Sequence, residues 1–325
     1  MSRPKVITLA PTASDPNGVS TSFTLTTASL NIPIDGALST GYDRDGVAAA
    51  QTPGGAGNLT LDGALASGSA VQFTRPTRLV IYAGGDESGR AFTVSGLKQQ
   101  PGKSMGAKQV FTETITGPNA TTVVGSTDWW QITNIAVDAG TAGDVEVGVN
   151  GYVDLSTPQH VSITSAGDDS ADTFSIYGKD RYGNFITEEV TGPNATAATG
   201  LYNFAEIINV SSDGASAAGV TIGVDGTCES GWFVLNYRGP DFNVGFGVDL
   251  SASANLTYDV EHTFNNVMAA GFREHDAAVF NNSAVAAETT NQDGNYVNSP
   301  AAMRLAITAH TAGSANLRVV QSGRG

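Results

Sequence analysis

The chain has 325 residues, enough for two or three domains; 14% are charged and 40% are apolar. Rich in Gly, Ala, Ser, Thr and Asn, this composition excludes a heptad-built coiled coil or helical bundle, and it excludes charge-driven disorder. The formal net charge of −15 argues against nucleic acid and anionic membranes as partners, and no run approaches the ~18 apolar residues of a membrane-spanning helix.

The first eleven residues hold Arg3 and Lys5 and no acid; the first carboxylate is Asp15. No apolar core of signal-peptide length follows Met1, so the expectation is synthesis in a cytosol without a cleaved export signal. Met1–Pro11 reads as a basic arm. Behind it, Asp15-Pro-Asn-Gly-Val19 is echoed by Asp43-Arg-Asp-Gly-Val47, 28 positions on. Asn31-Ile-Pro-Ile-Asp-Gly-Ala-Leu38 is echoed by Asn58-Leu-Thr-Leu-Asp-Gly-Ala-Leu65, 27 positions on. Residues 1–70 are therefore read as an N-terminal arm followed by a duplicated strand pair.

A larger duplication follows. Thr112–Gly151 matches Thr187–Gly226 without a gap, 75 positions apart, with 17 identical pairs. Upstream, Phe92-Thr-Val-Ser-Gly96 matches Phe174-Ser-Ile-Tyr-Gly178 at an offset of 82. Internal repeats of this kind define the architecture before any single motif does. Apolar residues alternate with period two through both copies, as at Leu79–Ala83 and Val161–Ser165. Gly, Asn, Asp and Pro punctuate them at sandwich spacing. The two copies, 71–154 and 155–237, are expected to be β-sandwich repeats. Phe92 with Phe174, and Trp129 with Phe204, occupy equivalent places and are expected in the cores. Trp130 aligns with Ala205, so it is extra to the module and a candidate interface anchor. His160 falls where the first copy has Arg78. Cys228 is the only cysteine, so no internal disulfide forms; it is expected as a small buried side chain.

After Tyr237 the duplication stops, and 238–325, with a pattern of its own, is read as a C-terminal β domain. Alternation is clear at Phe242–Val248, Leu256–Phe264, Met303–Thr308 and Leu317–Gln321. Between them, Asn265–Pro300 is a long polar segment, expected to be ordered by a neighbouring subunit. No helix is convincing; the best candidate, Phe264–His275, is interrupted by Asn265, Asn266 and Gly271. His275, in the loop triplet Glu274-His275-Asp276, is a further interface candidate.

Chemistry-bearing constellations are few. No Gly-x-Ser-x-Gly elbow, phosphate loop or Cys/His metal spacing occurs, so no catalytic, cofactor or metal residue is nominated. Asp168, Asp169 and Asp172 suggest a calcium turn but fall short of the about six to eight oxygens that calcium takes; an Asp-Ser-Gly turn accounts for them. Asp259 and Glu261 share a strand face opposite His262 and read as a solvated acidic face.

The fold class is thus all-β: tandem β-sandwich (Ig-like) modules with a C-terminal β-sandwich or jelly-roll-like domain. Three stretches resemble virion structural proteins of tailed bacteriophages. They are Gln51–Gly68, the run Ser165–Asn184 with Glu188–Pro193 and Ile222–Gly226, and the ending Arg304–Ala309 with Leu317–Gln321. The resemblance implies a non-enzymatic virion component, assembled in a host bacterial cytoplasm. Its expected place is that of a capsid decoration, or cement, protein, with the major capsid protein or other virion proteins as partners. It would be a homo-oligomer, a trimer favoured, gripping the shell through Arg3 and Lys5. A tail, head-to-tail joining or head-fibre component is the alternative within virions. From other classes, a carbohydrate-binding adhesin would use Trp129 and Trp130, and a glycan hydrolase would need a carboxylate pair that the sequence does not single out.

Overall fold

A computed structural model gives the structure of the protein and describes residues 4–26, 30–99, 108–237 and 242–321. Among these residues the regular structure is nearly all β, and the one helical element is a 3-10 turn at Glu274–Asp276. The N-terminal 70 residues form β1 (Lys5–Leu9), β2 (Asp15–Phe23), β3 (Asn31–Ile32), β4 (Ser39–Thr40), β5 (Asp43–Gln51), β6 (Gly57–Asn58) and β7 (Ala66–Ser67). The first repeat runs β8 (Ala70–Thr77), β9 (Leu79–Ala83), β10 (Ala91–Gln99), β11 (Lys108–Thr116), β12 (Thr122–Val124), β13 (Trp129–Val137) and β14 (Val145–Val149). The second runs β15 (Tyr152–Gln159), β16 (Val161–Ser165), β17 (Thr173–Lys179), β18 (Phe185–Thr191), β19 (Ala197–Thr199), β20 (Phe204–Ser212) and β21 (Val220–Val224). The last part holds β22 (Cys228–Glu229), β23 (Phe233–Val234), β24 (Val244–Leu250), β25 (Asn255–Thr263), β26 (Phe280–Asn281), β27 (Gln292–Tyr296), β28 (Ala302–Ala312) and β29 (Ala315–Gln321).

The N-terminal 70 residues do not form a unit of their own. Their three long strands are dealt out to three sandwiches in reverse order. β5 closes the first repeat's sheet β12-β9-β14-β5, β2 closes the second's sheet β19-β16-β21-β2, and β1 closes β27-β24-β29-β1 in the last. The opposing sheets are β11-β10-β13-β8, β18-β17-β20-β15 and β26-β25-β28-β22. Counted from its threaded strand, each sandwich has eight main strands in two antiparallel sheets with one strand order, joined by the two-residue strands β6 and β7, β3 and β4, or β23, and that order is a jelly roll's. In the immunoglobulin order the third, sixth and seventh strands of a seven-strand sandwich share a sheet. Here β14 and β21 lie across the sandwich from β13 and β20. The β-sandwiches are present, then, but their pairing is not Ig-like.

The two duplications in the sequence are one. Asp43, Ala48 and Gln51 pair with Val149, Val147 and Val145; Asp15, Ser20 and Phe23 pair with Val224, Ile222 and Val220. Each threaded strand is displaced by 28 positions and each receiving strand by 75, so the registers are the same. The last sandwich repeats the strand order without the sequence match. The chain therefore holds one strand order three times, twice with matching sequence and once without it.

Three apolar cores follow this partition. Val47, Ala48 and Leu59 join the first core, Val19, Phe23, Ile32 and Ile34 the second, and Leu9 the third. Phe92, Phe174, Trp129 and Phe204 are fully buried, as their equivalence predicts. Truncating such a ring costs roughly 3–5 kcal/mol. Cys228 is buried in the third core, and burial pushes its thiol pKa up.

Candidate functional site

The duplicated sandwiches dock end to sheet, and the same sequence position serves each junction. Arg78 and His160, 82 positions apart, sit just before β9 and β16. At the first junction Arg78 Nη1 donates to Asn31 Oδ1 at 3.0 Å and Asn209 Oδ1 at 2.7 Å, both on the second sandwich, while its Nε lies 3.4 Å from Asp128. Asn150 Oδ1 accepts the Ile34 N–H at 2.7 Å, and Arg75 pairs with Glu206 at 2.5 Å while stacking over the Tyr152 ring.

At the second junction, between the second and third sandwiches, each partner has been exchanged. His160 replaces Arg78, Asn203 replaces Asp128 and Asp225 replaces Asn150. His160 Nε2 lies 3.0 Å from Glu229 Oε2, and its Nδ1 lies 2.9 Å from the Thr227 hydroxyl. That hydroxyl donates its proton to Asp225 Oδ1 at 2.7 Å, so Nδ1 must be a donor. A carboxylate at Nε2 needs a donor as well, so the geometry calls for the imidazolium. Burial acts to lower the His160 pKa, but the hydrogen bond and charge of Glu229, with Asp225 and Glu188 beyond, outweigh it and hold it above the ordinary value. Burial alone would raise Glu229. The His160 bond and charge, then Arg304 and Asn203, pull it down to about 2. Arg304 completes the cluster, 2.6 Å from Glu261 and stacked 4.6 Å from the Trp232 ring centroid.

Beside this junction a cleft of about 980 Å³ opens between the second sandwich and the segment that follows β25. Tyr182, Tyr202, Trp232, Phe272 and His275 line it. Its carboxylates are engaged: Asp180 accepts the N–H groups of Tyr182 and Asn184, Glu229 holds His160, and Glu274 holds Arg181 at 2.9 Å and the Tyr182 hydroxyl at 3.0 Å. The cleft is thus walled by groups that fasten one sandwich to the next. The segment Asn265–Pro300 is engaged within its own chain, through Glu274 on Arg181, through β27 on β24 and through β26 on β25.

The four interface candidates do not converge. Arg3 lies outside the described residues. Lys5 is exposed on β1, and β1 is the outer strand of the third sandwich rather than a free arm. Trp130 is half-buried in the first sandwich, with the Lys108 ammonium 5.4 Å from its ring centroid. His275 stacks on Tyr202 at 3.8 Å in the cleft. Trp129 is fully buried, so the pair Trp129-Trp130 offers no two-ring sugar platform. Asp259 and Glu261 are not a solvated face: Asp259 accepts the Ala287 N–H and Glu261 holds Arg304. Asp168 accepts from Ser170 N and Oγ, and Asp169 caps Ala217 N at 2.6 Å. The first copy does the same with Asp86 on Ser88 and Glu87 on Ala142 and Gly143, which is turn chemistry. Sequence reasoning passed over His160 as a junction residue; the signal was its alignment with an arginine. No family model matches the chain, and no curated protein matches it.

Proposed function

We propose that the protein is a structural component of a tailed-bacteriophage virion, and within the virion a capsid decoration, or cement, protein assembled in the host cytoplasm. The observation that carries this reading is the nested threading. Each sandwich is closed by a strand from the opposite arm of the chain, and β1 pairs with β29 across nearly the whole sequence. No sandwich opens without disturbing a strand delivered from far away, which suits a part that bears load. The jelly roll is a recurrent capsid architecture, and the Gln51–Gly68 and Ser165–Asn184 motifs resemble virion modules. Net acidity fits the outside of a DNA-filled shell better than its lining. A homo-oligomer seated on the major capsid protein, a trimer favoured, follows from the same reading.

Cryo-electron microscopy of intact particles tests it. Copies spread over the head lattice are the expected result. A single ring at the tail or its joint would move the protein to the alternative virion position, and absence from purified particles would overturn the reading.

A further inference from the structure

The two junctions follow one plan and differ in what they leave open. Beside Arg78 and Asp128, at the first, the void is about 20 Å³. Beside His160 and Asn203, the same two positions one copy later, it is the cleft of about 980 Å³. Two differences accompany the opening. At the second junction the segment after β25 stands against the second sandwich, fastened by Glu274 to Arg181. In addition, Ser126-Thr127-Asp128 of the first copy has become Leu201-Tyr202-Asn203. Leu201 is 76% exposed on one wall and Met268 75% exposed on the other. Fastening the sandwiches accounts for neither. Large solvated apolar side chains gathered in one place mark a surface that is covered in use.

Rings converge on the 3-10 turn at Glu274–Asp276. Tyr182 donates its hydroxyl to Glu274 Oε1 at 3.0 Å, Trp232 Nε1 lies 3.4 Å from Glu274 O, and His275 lies flat on Tyr202 with the planes 14° apart. Gly231 lets Tyr182 come this close, since a Cβ there would meet its hydroxyl oxygen at 3.0 Å. The Tyr182 ring is thus held by its polar tip and still keeps 63% exposure. The charges of the lining balance. The His160 imidazolium, Arg273 and Arg304 stand against Asp180, Glu229 and Glu274, and burial holds the His275 pKa below its ordinary value. In a chain of net charge −15 this wall calls for neither a cation nor an anion. Hydrogen-bonding capacity remains. The Tyr182 hydroxyl can still accept, Asn184 spends its Nδ2 on Asp180 and keeps its Oδ1, and the Arg273 side chain makes no hydrogen bond or ion pair among the described residues. Such a wall fits a neutral ligand with an apolar C–H face and hydroxyls along its edge. We infer that the cleft is a binding site for a neutral saccharide, stacked on the Tyr182 ring with its hydroxyls towards Asn184 and Arg273. The volume lies at the upper end of the about 300–1,000 Å³ of small-molecule sites, which favour domain boundaries. The inference goes beyond the virion reading and stands or falls separately from it.

Calorimetric titration of the full chain with maltotriose, cellotriose, mannotriose and chitotriose tests it, with tryptophan emission as a second readout because Trp232 lines the cleft. The expected result is binding of at least one of them, with an emission change that Trp232→Phe abolishes. Tyr182→Ala should weaken that binding about tenfold, the worth of one stacked ring, while Tyr182→Phe should leave it unchanged. Should loss of the Glu274 contact disturb the turn, Arg273→Ala serves as a second variant and should weaken binding at an unchanged melting temperature. Binding of none of the four, an emission change that survives Trp232→Phe, or binding that both Tyr182→Ala and Arg273→Ala leave intact would each overturn the site. Uptake of the apolar dye anilinonaphthalenesulfonate without any saccharide would overturn it too, and would make the cleft a groove for an apolar protein segment.

Discussion

Gly148 and Gly223 mark where the threaded strands pass closest to the sheets they complete. A Cβ at either would fall far inside the van der Waals contact distance of a backbone oxygen, that of Asp43 at Gly148 and of Asp15 at Gly223. The two glycines are 75 positions apart, so each copy keeps the same solution. Gly223→Ala is expected to push β2 off β21 and to cost about 1–3 kcal/mol, as overpacking does. Denaturant unfolding measures it, and an unchanged midpoint would show that β2 is not held there. These glycines carry no periodic signal, and their meaning appears only once the partner strand is known. Phe92, Phe174, Trp129 and Phe204 were different: alternation and the internal alignment marked them as core without a structure.

Among elements, β1 shows the gap between pattern and placement. Lys5–Leu9 lacks acids, which made an arm the natural reading, yet Lys5 through Leu9 pair in register with Val319 through Ala315. Leu9 is 3% exposed in the third core. Deleting residues 2–11 is therefore expected to loosen the third sandwich and leave the other two intact. Hydrogen exchange should show lost protection in β29 and β24 and unchanged protection in β9 and β16. Full protection of β29 in the truncated chain would return the segment to an arm. The third sandwich was hidden for a related reason. Its strands keep apolar alternation, but its turns differ, so the common topology is visible only in the strand order.

Across the whole molecule, the nested order ties the closing of each sandwich to the order in which its strands are made. β1 is made first and waits for β29, made last, so the rolls close from first to third as β14, β21 and β29 appear. Contacts of such long range slow folding. The two junctions differ in chemistry, and this gives a pH signature. His160 has its pKa raised by folding, so its contribution is complete below about 6.5 and is lost as pH rises through the folded value. Glu229 has its pKa lowered, so its contribution is complete above 4.5 and is lost as pH falls towards about 2. The second junction is thus strongest between these limits. His160→Gln should cost roughly 1–3 kcal/mol at about pH 6, with the gap to wild type closing by about pH 9. Thermal unfolding at both values checks this; an equal gap at each would mean that His160 acts as a neutral spacer.

The sequence by itself determined what is local or internally repeated. It set the strand alternation, the turn residues, the paired core aromatics and the fact of duplication, because period-two patterning and offset alignment need no partner to be read. Tertiary structure decided every partnership. Alternation says that one face of Asp15–Phe23 is buried but not against what, and a strand 200 residues away satisfies it as well as a neighbour does. For that reason the reverse dealing of β1, β2 and β5, the third jelly roll and the placing of Arg78 and His160 at successive junctions emerged only when the chain was closed on itself.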